Sequence, residues 1–133
     1  MAQNMLEMHM LGNNLSVYVN IWDKRKQEYK KGLLTFDTGA SITTISKDIL
    51  FALGYDLVDS TIQKITTASS VEYVREITID KISLGGYELE NVQVYAHTFP
   101  EESLTSGVIG LNVLSQFDVD MLFSKGQIFL TRF

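Results

Sequence analysis

Along most of the chain apolar and polar residues alternate with a period of two, the signature of strands with one buried face. Leu15, Val17, Val19 and Ile21 alternate with Ser16, Tyr18 and Asn20, and the polar run Asp23-Lys24-Arg25-Lys26 ends this stretch. Residues 27–36 return toward a second apolar end, Leu33-Leu34-Thr35-Phe36, so the first unit is predicted as a hairpin. Residues 42–45 are β-branched and predicted extended. Ser46 then stands where it can cap a short helix over 47–53. Further strands are predicted over 61–67 and 71–84, joined through Ala68-Ser69-Ser70. On the longer one Val71, Tyr73, Arg75, Ile77 and Ile79 share a face, and the apolar set then changes phase to Ile82 and Leu84. A bulge or bend near Asp80-Lys81 would account for that change. Gly85-Gly86 marks a two-residue hairpin turn, followed by a strand that buries Val92, Val94 and Ala96. Residues 99–106 hold the only proline and are predicted as loop. Val108-Ile109-Gly110 leads into a second short helix over 111–116, and a final hairpin runs through 119–123 and 127–133. The result is a mostly β chain with two short helices.

Composition narrows this to one globular unit. The chain has 133 residues, 45% apolar, with a single proline, which fits one domain over 1–133 and excludes collagen-like or disordered classes. Eleven basic against 16 acidic residues leave a net charge of −5, the wrong sign for a non-specific nucleic-acid binder. With no cysteine, disulfides, thiolate metal sites and a cysteine nucleophile are excluded. His9 and His97 form no ligand-spaced cluster, so neither a metal nor another cofactor is expected. The methionine-rich start lacks the basic region and continuous apolar run of a signal peptide, and nothing approaches a membrane span. A cytoplasmic protein without a membrane partner is the expectation. Met5, Leu6, Met8, Met10 and Leu11 have no evident partner in a small closed core, so residues 1–13 are expected either to form an arm reaching a second copy or to fray.

The candidate chemistry lies in Asp37-Thr38-Gly39. A given tripeptide recurs by chance in roughly 3% of chains this long, so context carries the reading. An apolar strand ending in Phe36 precedes the aspartate, Ala40-Ser41 follows it, and a second glycine-terminated apolar turn lies far downstream. In Thr35-Phe36-Asp37-Thr38-Gly39-Ala40-Ser41 and Gly107-Val108-Ile109-Gly110-Leu111-Asn112-Val113-Leu114 the chain resembles the retropepsin-like aspartic proteases, with hairpins between them suited to a substrate-covering flap.

The resemblance implies an all-β closed acid-protease barrel with two short helices and one lobe per chain. It further implies an endopeptidase that hydrolyses an extended polypeptide with water activated by two carboxylates. Two carboxylates about 3 Å apart cannot both ionise, so such a pair shares a proton and titrates as a unit. This chain carries one such loop, and Phe117-Asp118-Val119-Asp120 reads as surface carboxylates on a strand. The second aspartate must therefore come from another copy, making the partner a homodimer and Asp37 an axial residue. On this reading Asp37, Thr38 and Gly39 form the catalytic loop. Gly39, Ala40, Ser41, Ala68, Ser69, Ser70, Val108 and Ile109 bind substrate, and Gly110 and Asn112 support the loop. Leu111 stands where viral members have an arginine that helps fix the dimer, and Ser41 where they have an aspartate. The alternative is a catalytically silent β-barrel of the same fold that serves in binding or dimerisation. An intact Asp-Thr-Gly favours the enzyme, since a silent descendant has no chemical reason to hold a buried like-charge pair.

Overall fold

The computed structural model describes residues 4–66 and 68–133. In chain order the strands are β1 (Asn4–Glu7), β2 (His9–Leu11), β3 (Asn14–Asp23), β4 (Glu28–Phe36) and β5 (Thr44–Ser46). Helix α1 (Lys47–Ala52) leads to β6 (Thr61–Thr66), β7 (Val71–Leu84), β8 (Tyr87–His97) and β9 (Gly107–Ile109). Helix α2 (Leu111–Leu114) precedes β10 (Phe117–Leu122) and β11 (Gln127–Arg132). An eight-stranded sheet has the order β2-β3-β4-β9-β5-β8-β7-β6, and a three-stranded sheet the order β1-β11-β10. The long strand β7 also meets β3 through Asn20↔Ser83 and Ile21↔Ile82, so the large sheet curls back on itself into a barrel. Ile21, Leu34, Ile79, Ile82, Val94 and Ile109 of the large sheet pack with Ile128 and Leu130 of the small one in a single apolar cluster. No helix among the described residues is long and apolar enough to cross a membrane.

The alternation in β3 sets its inner face. Val17, Val19 and Ile21 are buried while Tyr18 is exposed. Gly85 and Gly86 both take positive φ (56° and 83°) in the two-residue turn between β7 and β8, a geometry that other residues adopt only with strain. Both helices are shorter than the sequence predicts, at 47–52 and 111–114. Ser46 makes no side-chain cap; it is still the last residue of β5, and its N–H donates to the Ser106 carbonyl at 2.9 Å.

In β7 the expected change of phase near Asp80 is a bend and not a bulge, and one expectation for the outer end of the strand needs correction. Its register with β8 runs unbroken from Arg75↔Ala96 to Leu84↔Tyr87, skipping only Asp80 and Asn91, so no extra residue is inserted. Instead Asn91 adopts φ 53°, and the apolar face changes phase there by backbone conformation alone. Val71 and Tyr73 do not share the buried face of Ile77 either; both are exposed, and Val74 is buried in their place. Before Arg75 the strand is paired with β6 but not with β8, and a two-stranded ribbon is free to twist more strongly.

The N-terminal segment folds onto its own chain. β1 pairs with β11 from Asn4↔Leu130 to Glu7↔Gln127, and β2 pairs with β3. Leu6 enters the core and Met8 packs against it, while Met5 and Met10 remain exposed.

Candidate active site

The candidate residues meet where three strands cross. β9 runs parallel to β4 (Thr35↔Val108, Phe36↔Ile109) and antiparallel to β5 (Thr44↔Val108, Ile45↔Gly107). Asp37 leaves the end of β4 at this crossing. Its N–H donates to the Ile109 carbonyl at 3.1 Å, and its own carbonyl accepts from Ala40 N–H at 3.2 Å, which closes a tight turn. The Gly39 N–H donates to Asp37 Oδ1 at 2.8 Å. Asp37 is half-buried, and Thr38 and Gly39 are exposed.

The loop rests on α2. Leu111 N–H donates to the Ala40 carbonyl at 2.8 Å, and Asn112 N–H to the Ser41 carbonyl at 3.0 Å. Beneath them lies a buried polar knot. Thr43 donates to Asn112 Oδ1 at 2.8 Å through both its N–H and its hydroxyl, and Gly110 N–H donates to Thr43 Oγ1 at 3.0 Å. Asn112 Nδ2 continues the network to the Gln93 carbonyl at 2.7 Å. A Cβ on Gly110 would lie 2.7 Å from the Ala40 carbonyl oxygen and 2.9 Å from the Ile42 carbonyl carbon, so only glycine lets the two segments approach this closely. On the other flank the Thr35 and Thr105 hydroxyls are 3.2 Å apart.

A cavity of about 480 Å³ opens beside this loop, lined by Ala40, Ser41, Ile42 and Thr44 on one side and by Lys64, Ile65, Thr66 and Tyr95 on the other. Ala68, Ser69 and Ser70 are exposed at the end of the β6–β7 hairpin. The structure thus joins Asp37, Thr38, Gly39, Ala40, Ser41, Gly110 and Asn112 in one unit and keeps Ala68–Ser70 on a separate hairpin. Val108 is half-buried, but the Ile109 side chain is fully enclosed in the core. Alternation along β9 turns Ile109 inward, and what it offers the site is its carbonyl. Asp118 and Asp120 are exposed on β10, outside the crossing. Thr43 is the supporting residue that sequence reasoning missed. Its signal was a second hydroxyl residue inside a β-branched run, at a position the structure buries to 1% exposure. Among the described residues no group of three or more His, Asp or Glu could hold a metal ion.

Comparison with known proteins falls on this same stretch. The aspartyl protease family profile matches residues 25–113, which contain the Asp37 loop, the β6–β7 hairpin and the Gly110–Asn112 support. The chain belongs to the aspartyl protease family. Its fold is retropepsin-like. A crystal structure of a retropepsin-like aspartic protease from Rickettsia conorii superposes with a TM-score of 0.67 at 21% identity, covering 97% of this chain and 89% of that one. Among curated proteins the comparison returns no match.

Proposed function

We propose that this aspartyl protease is an endopeptidase acting as a homodimer, in which Asp37 and its counterpart from a second copy form the catalytic pair. The observation that carries this is the state of the Asp37 loop. Its backbone is fixed by bonds to Ile109 and α2, yet its half-buried carboxylate has one hydrogen-bond partner among the described residues, the Gly39 N–H. A loop held that firmly around an incompletely partnered carboxylate is prepared for a group from outside the chain. Thr38 is exposed beside it, and Leu111, 40% exposed at the start of α2, offers an apolar contact to the same partner.

The chemistry then follows from shared protonation. Two Asp37 carboxylates brought together cannot both remain ionised, so one keeps a proton. The ionised one takes a proton from a water molecule that attacks the scissile carbonyl carbon. The protonated one hydrogen-bonds the carbonyl oxygen and passes its proton to it as charge develops there, giving a tetrahedral diol. The diol collapses as the amine leaves with the proton taken from water, and a diol hydroxyl returns its proton to the other carboxylate. Substrate lies extended across the pair, held by main-chain hydrogen bonds from Gly39 and from Ala68–Ser70, with Ala40, Ser41 and Val108 along its path. A peptide-library digest over a pH series, with Asp37→Asn in parallel, tests the proposal. The expected result is a bell-shaped profile for the wild type and no cleavage by the variant. Equal cleavage by the two proteins, or a strict monomer at high micromolar concentration with substrate present, overturns it.

A further inference from the structure

We propose that the cavity between the Asp37 loop and β6 selects a peptide side chain ending in a carboxylate, and that Lys64 is the residue that selects it. The inference rests on reading this cavity as part of the substrate cleft, which it adjoins through Ala40 and Ser41.

Its lining has a one-sided chemistry. The polar residues along it are Ser41, Thr44, Thr66, Tyr95 and Lys64. All can donate hydrogen bonds, and no carboxylate or carboxamide stands among the described lining residues. A carboxylate is an acceptor only, so it is the complement of this set. Lys64 and Thr66 share one face of β6, and Ile42 on the far wall supplies the apolar surface against which the methylenes of a glutamate stem pack while the head reaches the ammonium.

Charge sharpens the argument. The chain as a whole carries −5, so its general field repels acidic peptides, and Lys64 is the single charged side chain among the described lining residues. An attraction for acids in this cavity is therefore local and belongs to one residue. Lys64 is exposed on β6, an edge strand of the large sheet, so water competes for its ammonium until peptide covers it. A charge-assisted hydrogen bond formed under that cover favours glutamate over glutamine by about tenfold.

The test uses peptides cleaved by the wild type, each made as a glutamate and glutamine pair at every position flanking the cut. Wild type is expected to show about a tenfold higher kcat/KM for glutamate at one position. Lys64→Met keeps the stem and should bring that ratio close to one, and Lys64→Arg should retain it. A wild-type ratio near one at every position, or a preference that survives Lys64→Met, overturns the assignment. If the wild type cleaves no peptide, the protease reading fails separately. Fluorescence anisotropy of labelled glutamate and glutamine peptides on the wild type then decides the matter. Tighter glutamate binding that Lys64→Met abolishes upholds the role of Lys64, and equal binding ends it.

Discussion

Glu88 and Asp37 are both carboxylates at the surface of the same sheet, and their surroundings differ in kind. Glu88, on β8, accepts a short hydrogen bond from the Tyr29 hydroxyl and lies 3.6 Å from the Lys81 ammonium. Lys81 in turn sits 4.0 Å from the centre of the Trp22 ring, which meets Tyr29 edge to face at 5.2 Å. Every group in that cluster finds a partner within its own chain. The Tyr29 bond, helped by Lys81, holds Glu88 below the usual carboxylate range, and burial together with Glu88 pushes the Tyr29 hydroxyl well above its ordinary value. Asp37 is held through its backbone by Ile109 and Ala40, and its carboxylate has one hydrogen-bond partner among the described residues, the Gly39 N–H. The difference separates two uses of an acid. Glu88 is complete in one chain and serves structure, whereas Asp37 is positioned and left open, which is what chemistry between two copies requires.

The largest expected effect breaks the comparison at Asp37. Asp37→Asn keeps the shape and the Gly39 bond but removes the base, so peptide cleavage should fall by at least about a thousandfold. Sedimentation should still show the dimer, because the amide relieves a like-charge repulsion. Glu88→Gln, the same chemical change at the other carboxylate, should leave the cleavage rate unaltered. If both variants lose activity equally, the two carboxylates do not differ in the way described.

Next in size are changes to the frame. Gly110→Ala forces a methyl group against the Ala40 carbonyl at 2.7 Å, and relief by backbone shift should cost about 1–3 kcal/mol in urea denaturation. Asn112→Ala strips the acceptor from the Thr43 N–H and hydroxyl, again by about 1–3 kcal/mol. Both should also lower cleavage at temperatures where the protein remains folded, since the ledge under Ala40 and Ser41 has moved. A variant that loses stability but cleaves at the full rate would show that α2 supports the fold without positioning the loop.

How much of this was legible beforehand depends on the range of the interactions. The β3–β4 hairpin, the Gly85-Gly86 turn and the strand burying Val92, Val94 and Ala96 follow from alternation and turn chemistry, which are local. The Asp37 loop and the Gly110–Asn112 turn were visible as motifs. What was hidden depends on neighbours remote in sequence. Ser46 closes β5, bonded through its N–H to the Ser106 carbonyl, and makes no side-chain cap to α1, and Val74 replaces Tyr73 in the interior where β7 leaves β8 and pairs with β6 alone. Thr43 is a core residue only because Asn112, on another element, supplies its acceptor. Lys64 looked like any exposed strand lysine until the fold set β6 across the cavity from Ser41.

The smallest expected effect sharpens the comparison from the Glu88 side, by removing one of the two partners that make that carboxylate complete. Tyr29→Phe takes away the hydroxyl that bonds Glu88, so the Glu88 titration, followed by carboxyl-carbon NMR, should move up toward the ordinary glutamate value. The consequence for stability has a definite sign at each end of the pH range. Because Glu88 is held low in the folded state, its contribution is present above the unfolded glutamate range and is lost as pH falls through the folded value. Tyr29 is held high, so its contribution is intact below its ordinary value of 10.0 and is lost as pH rises beyond it. The stability difference between wild type and Tyr29→Phe should therefore be greatest at intermediate pH and narrow toward both extremes. Glu88 is exposed and water competes for both partners, so the difference should be small throughout. Peptide cleavage should not respond, because nothing in the Trp22–Tyr29–Lys81–Glu88 cluster touches the Asp37 frame. A change in cleavage on Tyr29→Phe would mean that the two carboxylates are coupled through β3 and β4, and that the completed site does more than hold the sheet together.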